Sequence, residues 1–197
     1  IEIAPPGTAA TNVTQEVFIV SREQKGPLLQ KLLGDYRGSV LVFSRTKHGA
    51  KRIARDVRAG GNTADELHSN RSLGQRKTAL AGFKNGLYRV LVATDIAARG
   101  IDVTGIEVVI NYDLPMQAED YIHRIGRTGR AGASGHAISF ATPDQRGDLR
   151  TIERLLRKSL PVAKLPDSLP RPVAQAYVPA WPAGRPERPT FRRFHRR

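Results

Sequence analysis

Val40-Leu41-Val42-Phe43-Ser44-Arg45-Thr46 sets four apolar residues in an unbroken run ahead of three polar ones. A run so short and so uniformly apolar suits a strand buried on both faces of a parallel sheet, where no solvated face imposes alternation. Val90-Leu91-Val92-Ala93 ahead of Thr94-Asp95 repeats the arrangement, and Ile106 to Ile110 gives a third run. Between them the apolar spacing turns helical. Leu28, Leu29, Leu32 and Leu33 form one stripe within Gly26 to Tyr36. Ala50, Ile53, Ala54 and Val57 form another within Thr46 to Ala59, and Ala79, Leu80 and Phe83 a third within Leu73 to Phe83.

Further out, Val13 to Val20 alternates as a strand does, and Thr63 to Leu67 and Gly135 to Ala141 read as strands too. Met116 to Ile125 and Pro143 to Leu160 read as helices, the second with Pro143 in its first turn and Leu149, Ile152, Leu155 and Leu156 on one face. Strands alternating with helices predict an α/β fold, a parallel sheet flanked by helices on both faces. Ligands of such sheets bind beyond the C-terminal strand ends. Ser44-Arg45-Thr46 and Thr94-Asp95 fall there. Residues 1–12, with Pro5, Pro6 and Gly7, read as a linker remnant, 13–163 as the folded domain, and 164–197 as a Pro/Arg-rich flexible tail.

Net charge is +14, with eight Lys/Arg against two Asp/Glu from Lys164 onward, so the domain is basic as well as the tail. A polyanionic partner follows, nucleic acid first. Six arginines between 185 and 197 enclose Phe191 and Phe194, a composition that suits phosphate attraction with base stacking; a merely solubilising end is the alternative. The absence of cysteine excludes disulfides, thiolate metal sites and thiol catalysis. The five histidines lack metal-ligand spacing. No apolar run approaches the roughly 20 residues of a membrane span, and no signal peptide opens the chain, so a cytoplasmic protein without a membrane partner is expected.

The stretch densest in chemistry is His123-Arg124-Ile125-Gly126-Arg127-Thr128-Gly129-Arg130. Arginine meets phosphate bidentately and keeps its charge, while glycine lets backbone approach a ligand. Arg127 and Arg130, three apart, can face the same way; a solvated basic turn is the bland alternative. Taken with Val42 to Lys47 and with Ala93-Thr94-Asp95-Ile96-Ala97-Ala98-Arg99-Gly100-Ile101-Asp102, this stretch closely resembles motifs IV, V and VI of DEAD-box RNA helicases, in that family's order and spacing. The chain from about Val13 to Leu160 is thus similar to the second, C-terminal RecA-like domain of an ATP-dependent RNA helicase. The histidine heading motif VI resembles DEAD-box rather than DEAH-type members. The wording of motif V and the arginine-rich tail look most like bacterial RhlE-type helicases.

The resemblance implies roles residue by residue. Arg127 and Arg130 look like arginine fingers for the γ-phosphate of ATP, and Asp102 like the acceptor of a ribose hydroxyl. His123, Arg124 and Arg99 resemble residues facing the N-terminal RecA-like domain; an internal salt bridge is the alternative for Arg99. RNA-backbone contacts are implied for Arg45, Thr46, Arg76, Thr94 and Gly100. Thr46 also reads as a helix N-cap. The family's Walker A loop and Asp-Glu-Ala-Asp box are not found in this sequence, so Mg²⁺ is expected on the other domain and the chain is expected to be inactive alone, as part of a larger enzyme. Asp65-Glu66-Leu67-His68 sits in the wrong place for that box. Leu73 stands where the family usually has glutamine, Gln75 is shifted by two, and His68-Ser69-Asn70 replaces the usual His-Gly-Asp. A non-catalytic RNA-binding or adaptor module that kept the fold is the alternative function.

Overall fold

Burial on both sides drives the apolar quartets into the middle of a sheet. β2 (Val40–Phe43), β4 (Val90–Ala93) and β5 (Val108–Asn111) are buried at every position. With β1 (Val13–Ile19), β3 (Ala64–Leu67) and β6 (Gly135–Ala141) they form a six-stranded sheet of order β1-β6-β5-β2-β4-β3, every pairing parallel. This computed structural model describes residues 12–99, 103, 105–129 and 134–170.

Alternate strand residues point to opposite faces. Val40, Val42, Val90, Val92, Val108 and Ile110 meet the leucine stripe of α1 (Lys25–Asp35) and the Ala50/Ile53/Ala54/Val57 stripe of α2 (Lys47–Ala59). On the other face, Leu41, Phe43, Leu91, Ala93 and Val109 meet Ala79 and Phe83 of α3 (Leu73–Lys84) and the short α4 (Asp95–Ala98). Tyr121 and Ile125 of α5 (Ala118–Ile125) and Leu149, Ile152 and Leu156 of α6 (Arg146–Leu156) cover the β1–β6 side of that face. Each fully buried Leu contributes about 2 kcal/mol of transfer energy.

Several boundaries differ from the sequence reading for local reasons. The last helix splits into a single 3₁₀ turn, Pro143–Gln145, and α6. Its expected extension to Leu160 stops because Arg157 turns left-handed, φ 51°. α5 begins at Ala118 rather than Met116, since Gln117 is extended. Ile106 is outside β5 and bridges instead to Thr128 of the arginine loop. α4 was absent from the sequence reading, because one helical turn shows no periodicity.

Past α6 the chain keeps contact with the sheet and the core beyond residue 163. Val17 N–H donates to Pro161 O and Ala163 N–H to Val17 O, both 2.9 Å, so the chain leaving α6 covers the open edge of β1. Leu165 and Leu169 then pack on the α1 side of the core, and Gln24 Nε2 donates to Pro170 O at 2.8 Å. Leu165, Leu169 and Pro170, at the start of the expected tail, thus contact the domain. The remainder of the expected tail and nearly all of the linker lie outside the described residues.

Candidate functional site

Ser139, Asn111, Phe43, Ala93 and Leu67 align across five strands near their C-terminal ends. Two are polar and wholly buried: Asn111 Nδ2 donates to Ser139 Oγ at 3.1 Å. A buried amide needs partners for all its groups, and the remaining acceptor of Asn111 takes Arg124 NH1 at 3.0 Å.

Arg124 is the largest fully buried side chain of the domain, 2% exposed. Its Nε and NH2 meet the two carboxylate oxygens of Asp95 at 2.6 and 2.8 Å, and NH1 also donates to Asp113 O at 2.6 Å. The guanidinium lies 4.9 Å from the centroid of the Phe43 ring. Arginine suits this place because its planar fork satisfies a bidentate carboxylate and an aromatic face at once. One side chain thereby fastens α5 to α4 and to the ends of β2 and β5. Arg124, expected to face the N-terminal domain, lies almost wholly inside this one and reaches the wall of the cavity at the sheet edge. The helical turn that brings Tyr121 and Ile125 into the core takes Arg124 inward with them.

Its neighbours do reach the surface. Phe43, Asp95, Arg99, His123, Arg124 and Arg127 line a shallow cavity at this sheet edge. His123 is exposed and Arg127 half-buried. Arg99 is exposed, with NH2 3.6 Å from Asp120 Oδ1, so the internal ion pair weighed for it is present alongside its open position. Beyond Arg127 the loop is clamped. Thr128 is buried and its Oγ1 donates to Ile106 O and Glu107 O. Gly129 has φ +68°, and a Cβ there would sit 2.6 Å from Val13 Cγ2. Arg130, Asp102 and Gly100 lie outside the described residues.

A second group occupies the neighbouring strand ends. Arg45 and Thr46 follow β2, Thr94 follows β4, and Arg76 lies in the first turns of α3 after β3, three adjacent strands. Thr46 caps α2 through Gly49 N–H, 3.0 Å from its Oγ1. Arg45 N–H donates to Asp113 Oδ2 at 3.1 Å and its NH2 to Leu114 O at 3.3 Å. Thr94 holds the N-cap position of α4 without a side-chain cap bond. Lys47 Nζ donates to Asn70 Oδ1 at 3.0 Å, tying α2 to the loop before α3. Arg76 is half-buried, and its Nε makes no hydrogen bond among the described residues.

Beneath this surface Lys25, 5% exposed, donates from Nζ to Tyr112 O at 2.7 Å and Asp113 Oδ1 at 3.0 Å. Burial alone would raise the Asp113 carboxyl; Lys25 and the Arg45 N–H outweigh it and hold Asp113 below the usual carboxylate range. Burial, helped by the positive charges of Arg71 and Lys51, lowers the His68 imidazole despite Glu66 nearby. Asp65 is bound by Arg71, and Glu66 lies 3.7 Å from both Arg58 and His68, so neither carboxylate of the Asp65–His68 segment stands open to a metal. Gln75 is committed to the Ser72 capping box, and Leu73 beside it is exposed.

Asn111, Asp113 and Ser139 escaped the sequence reading as site residues, and Asp95, placed at the strand end by the sequence, gains its partner Arg124 only in the fold. A signal existed: Val-Val-Ile-Asn ends a fully buried strand on an amide, and Asp113 follows two residues later.

A family profile described as the helicase conserved C-terminal domain matches residues 24–132. The chain belongs to this family. DEAD-box RNA helicases are among its similar members. The chain is 40% identical over 179 residues to the ATP-dependent RNA helicase RhlB of Shewanella pealeana, a match covering 88% of this chain and 41% of RhlB. It superposes on the Escherichia coli DEAD-box protein SrmB with a TM-score of 0.72 at 32% identity, covering 77% of this chain and 90% of that one. Saccharomyces cerevisiae Dbp5, bound to RNA and ADP BeF3, matches with a TM-score of 0.71 at 31% identity, covering 77% of this chain and 41% of that one. The six-stranded parallel sheet is accordingly the RecA-like architecture of DEAD-box C-terminal domains. The chain spans less than half the length of RhlB. Among the described residues no helix is long and apolar enough to cross a membrane.

Proposed function

We propose that this helicase domain supplies one half of a split ATPase site, together with part of an RNA-backbone surface, to an ATP-dependent RNA helicase. The observation that carries the reading is the buried Arg124 fork. It fixes the helix end from which His123 and Arg127 emerge beside one cavity at the C-terminal sheet edge. Arg127 and Arg130 act as fingers on the γ-phosphate, stabilising charge that develops on the transferring phosphoryl group. Asp102 accepts from the ribose hydroxyl. His123 and Arg99 meet the N-terminal RecA-like domain when the cleft closes, and Arg124 serves that surface from within by holding its neighbours. Arg45, Thr46, Arg76, Thr94 and Gly100 bind phosphate and sugar, contacts that position RNA without reading its sequence.

The donor set on this face does not suit Mg²⁺. It presents cations, and its carboxylates Asp95 and Asp120 are bound by Arg124 and Arg99. The metal that accompanies ATP belongs with the separate N-terminal domain. Placement among bacterial RhlE-type helicases rests on motif V and the arginine-rich C-terminal residues; the relative named above is an RhlB. A cytoplasmic location accords with the cysteine-free sequence.

The test is Arg130→Ala in the full-length helicase. The reading expects kcat for RNA-stimulated ATP hydrolysis to fall by about 10³ or more, with RNA affinity within about twofold of wild type. An unchanged kcat would remove the finger assignment.

A further inference from the structure

α6 gathers its cations on one side. Arg146, Arg150 and Arg154 follow at four-residue steps, and Lys158 continues the series past the helix end. Each step advances about 6 Å and turns about 40°, a length scale close to that of successive phosphates in an extended strand. Leu149, Ile152 and Leu156 face the core, while these four cations and Arg157 are exposed. Among the described residues none of the five is ion-paired. Arg150, Glu153, Arg154, Arg157, Lys158 and Ser159 line a shallow basin. Its one carboxylate is engaged elsewhere, since Glu153 Oε1 accepts from Leu160 N–H at 2.8 Å.

Helix stability does not account for the row. Cations in the last turn oppose the helix dipole favourably, which would explain Arg154, Arg157 and Lys158. Arg146 opens the helix, where that same dipole disfavours a positive charge. Arg157 is also the only non-glycine with positive φ among the described residues. It occupies a C-terminal position where glycine or asparagine is the unstrained choice. A long cation is thus held at the basin against local backbone preference.

We infer that the α6 ridge, centred on Arg150, Arg154, Arg157 and Lys158, is a second RNA-docking surface that grips the phosphates of a single strand outside the cleft. It covers the β1–β6 side of the sheet, whereas Arg45, Thr46, Thr94 and Arg76 sit at the ends of β2, β4 and β3. The choice of RNA among polyanions rests on the proposed function; the ridge itself rests on the geometry.

Fluorescence anisotropy of the 197-residue chain with labelled oligouridine, across a KCl series, tests this. The variant Arg150→Gln/Arg154→Gln/Arg157→Gln/Lys158→Gln is expected to bind at least tenfold more weakly at low salt. Its log K against log salt should be shallower by about 3, at roughly 0.7 per lost phosphate contact. Arg45→Gln/Arg76→Gln is measured beside it. If only that second variant weakens, the ridge inference fails and the strand-end reading stands. If only the ridge variant weakens, the ridge stands and the strand-end RNA reading fails. A ridge variant that loses binding to phosphatidylserine vesicles but keeps its RNA affinity overturns the RNA assignment. Arg157→Gly separates binding from folding: Tm should rise as the strained cap relaxes while RNA affinity falls about threefold. A risen Tm with unchanged affinity removes Arg157 from the ridge.

Discussion

α5 and α6 share one hydrophobic cluster, and the single arginine of α5 and the three of α6 are used in opposite ways. Arg124 of α5 is 2% exposed and spends its guanidinium on Asp95, Asn111, the Asp113 carbonyl and the Phe43 ring. Arg146, Arg150 and Arg154 of α6 stand exposed without an ion pair among the described residues. Burial and partners, rather than residue type, decide which arginine holds the fold together and which is presented to another molecule. The first kind is insensitive to salt and costly to remove. The second costs the fold almost nothing and acts on partners through screened charge.

The sharpest way to break this contrast is Arg124→Ala. It leaves Asp95 and Asn111 without their main partner in a water-poor site, so unfolding free energy should fall by about 3–5 kcal/mol in a urea titration. Arg124→Lys should recover little, because a point charge cannot meet a bidentate carboxylate and an aromatic face together. If Arg124→Ala were as stable as wild type, the anchoring role would be lost.

The next effect is on pH. Asp113 titrates below its ordinary value when folded, through Lys25 and the Arg45 N–H. A depressed carboxyl stabilises the fold above the unfolded value of about 4 and loses that contribution as pH falls through the lower folded value. The urea midpoint should therefore drop on acidification below about pH 4, and Asp113→Asn should flatten that limb of the curve. Thr46→Ala comes third, removing the α2 cap for about 1 kcal/mol; Thr46→Ser should restore stability. Smallest is Arg150→Gln, expected within about 0.5 kcal/mol of wild type in the same titration. A large loss there would show that α6 needs its cations for folding.

The quartets Val40–Phe43 and Val90–Ala93 made the buried parallel strands legible, because so short an unbroken apolar run fits little besides a strand covered on both faces. The helical stripes of α1 and α2 were equally plain, as was the cap at Thr46. Arg124 was not. Sequence spacing groups it with His123 and Arg127, but only the helical phase set by Tyr121 and Ile125 determines which of the three turns inward. Asn111 and Ser139 were hidden for a related reason: their partnership depends on strand register, which pairs residues 28 apart in sequence. In the sequence Pro166 and Pro170 look like a breakdown of structure. Prolines stop helices, yet they do not stop an extended segment from covering a sheet edge and packing two leucines.

ATP turnover tests the split site most directly. It would be measured for this chain alone, for the separate nucleotide-binding domain alone, and for the two joined, each with saturating RNA. The account predicts turnover only in the joined protein, and a fall of about 10³ in kcat there on Arg127→Ala. Hydrolysis by this chain alone, or an unchanged kcat in the joined Arg127→Ala protein, would contradict it.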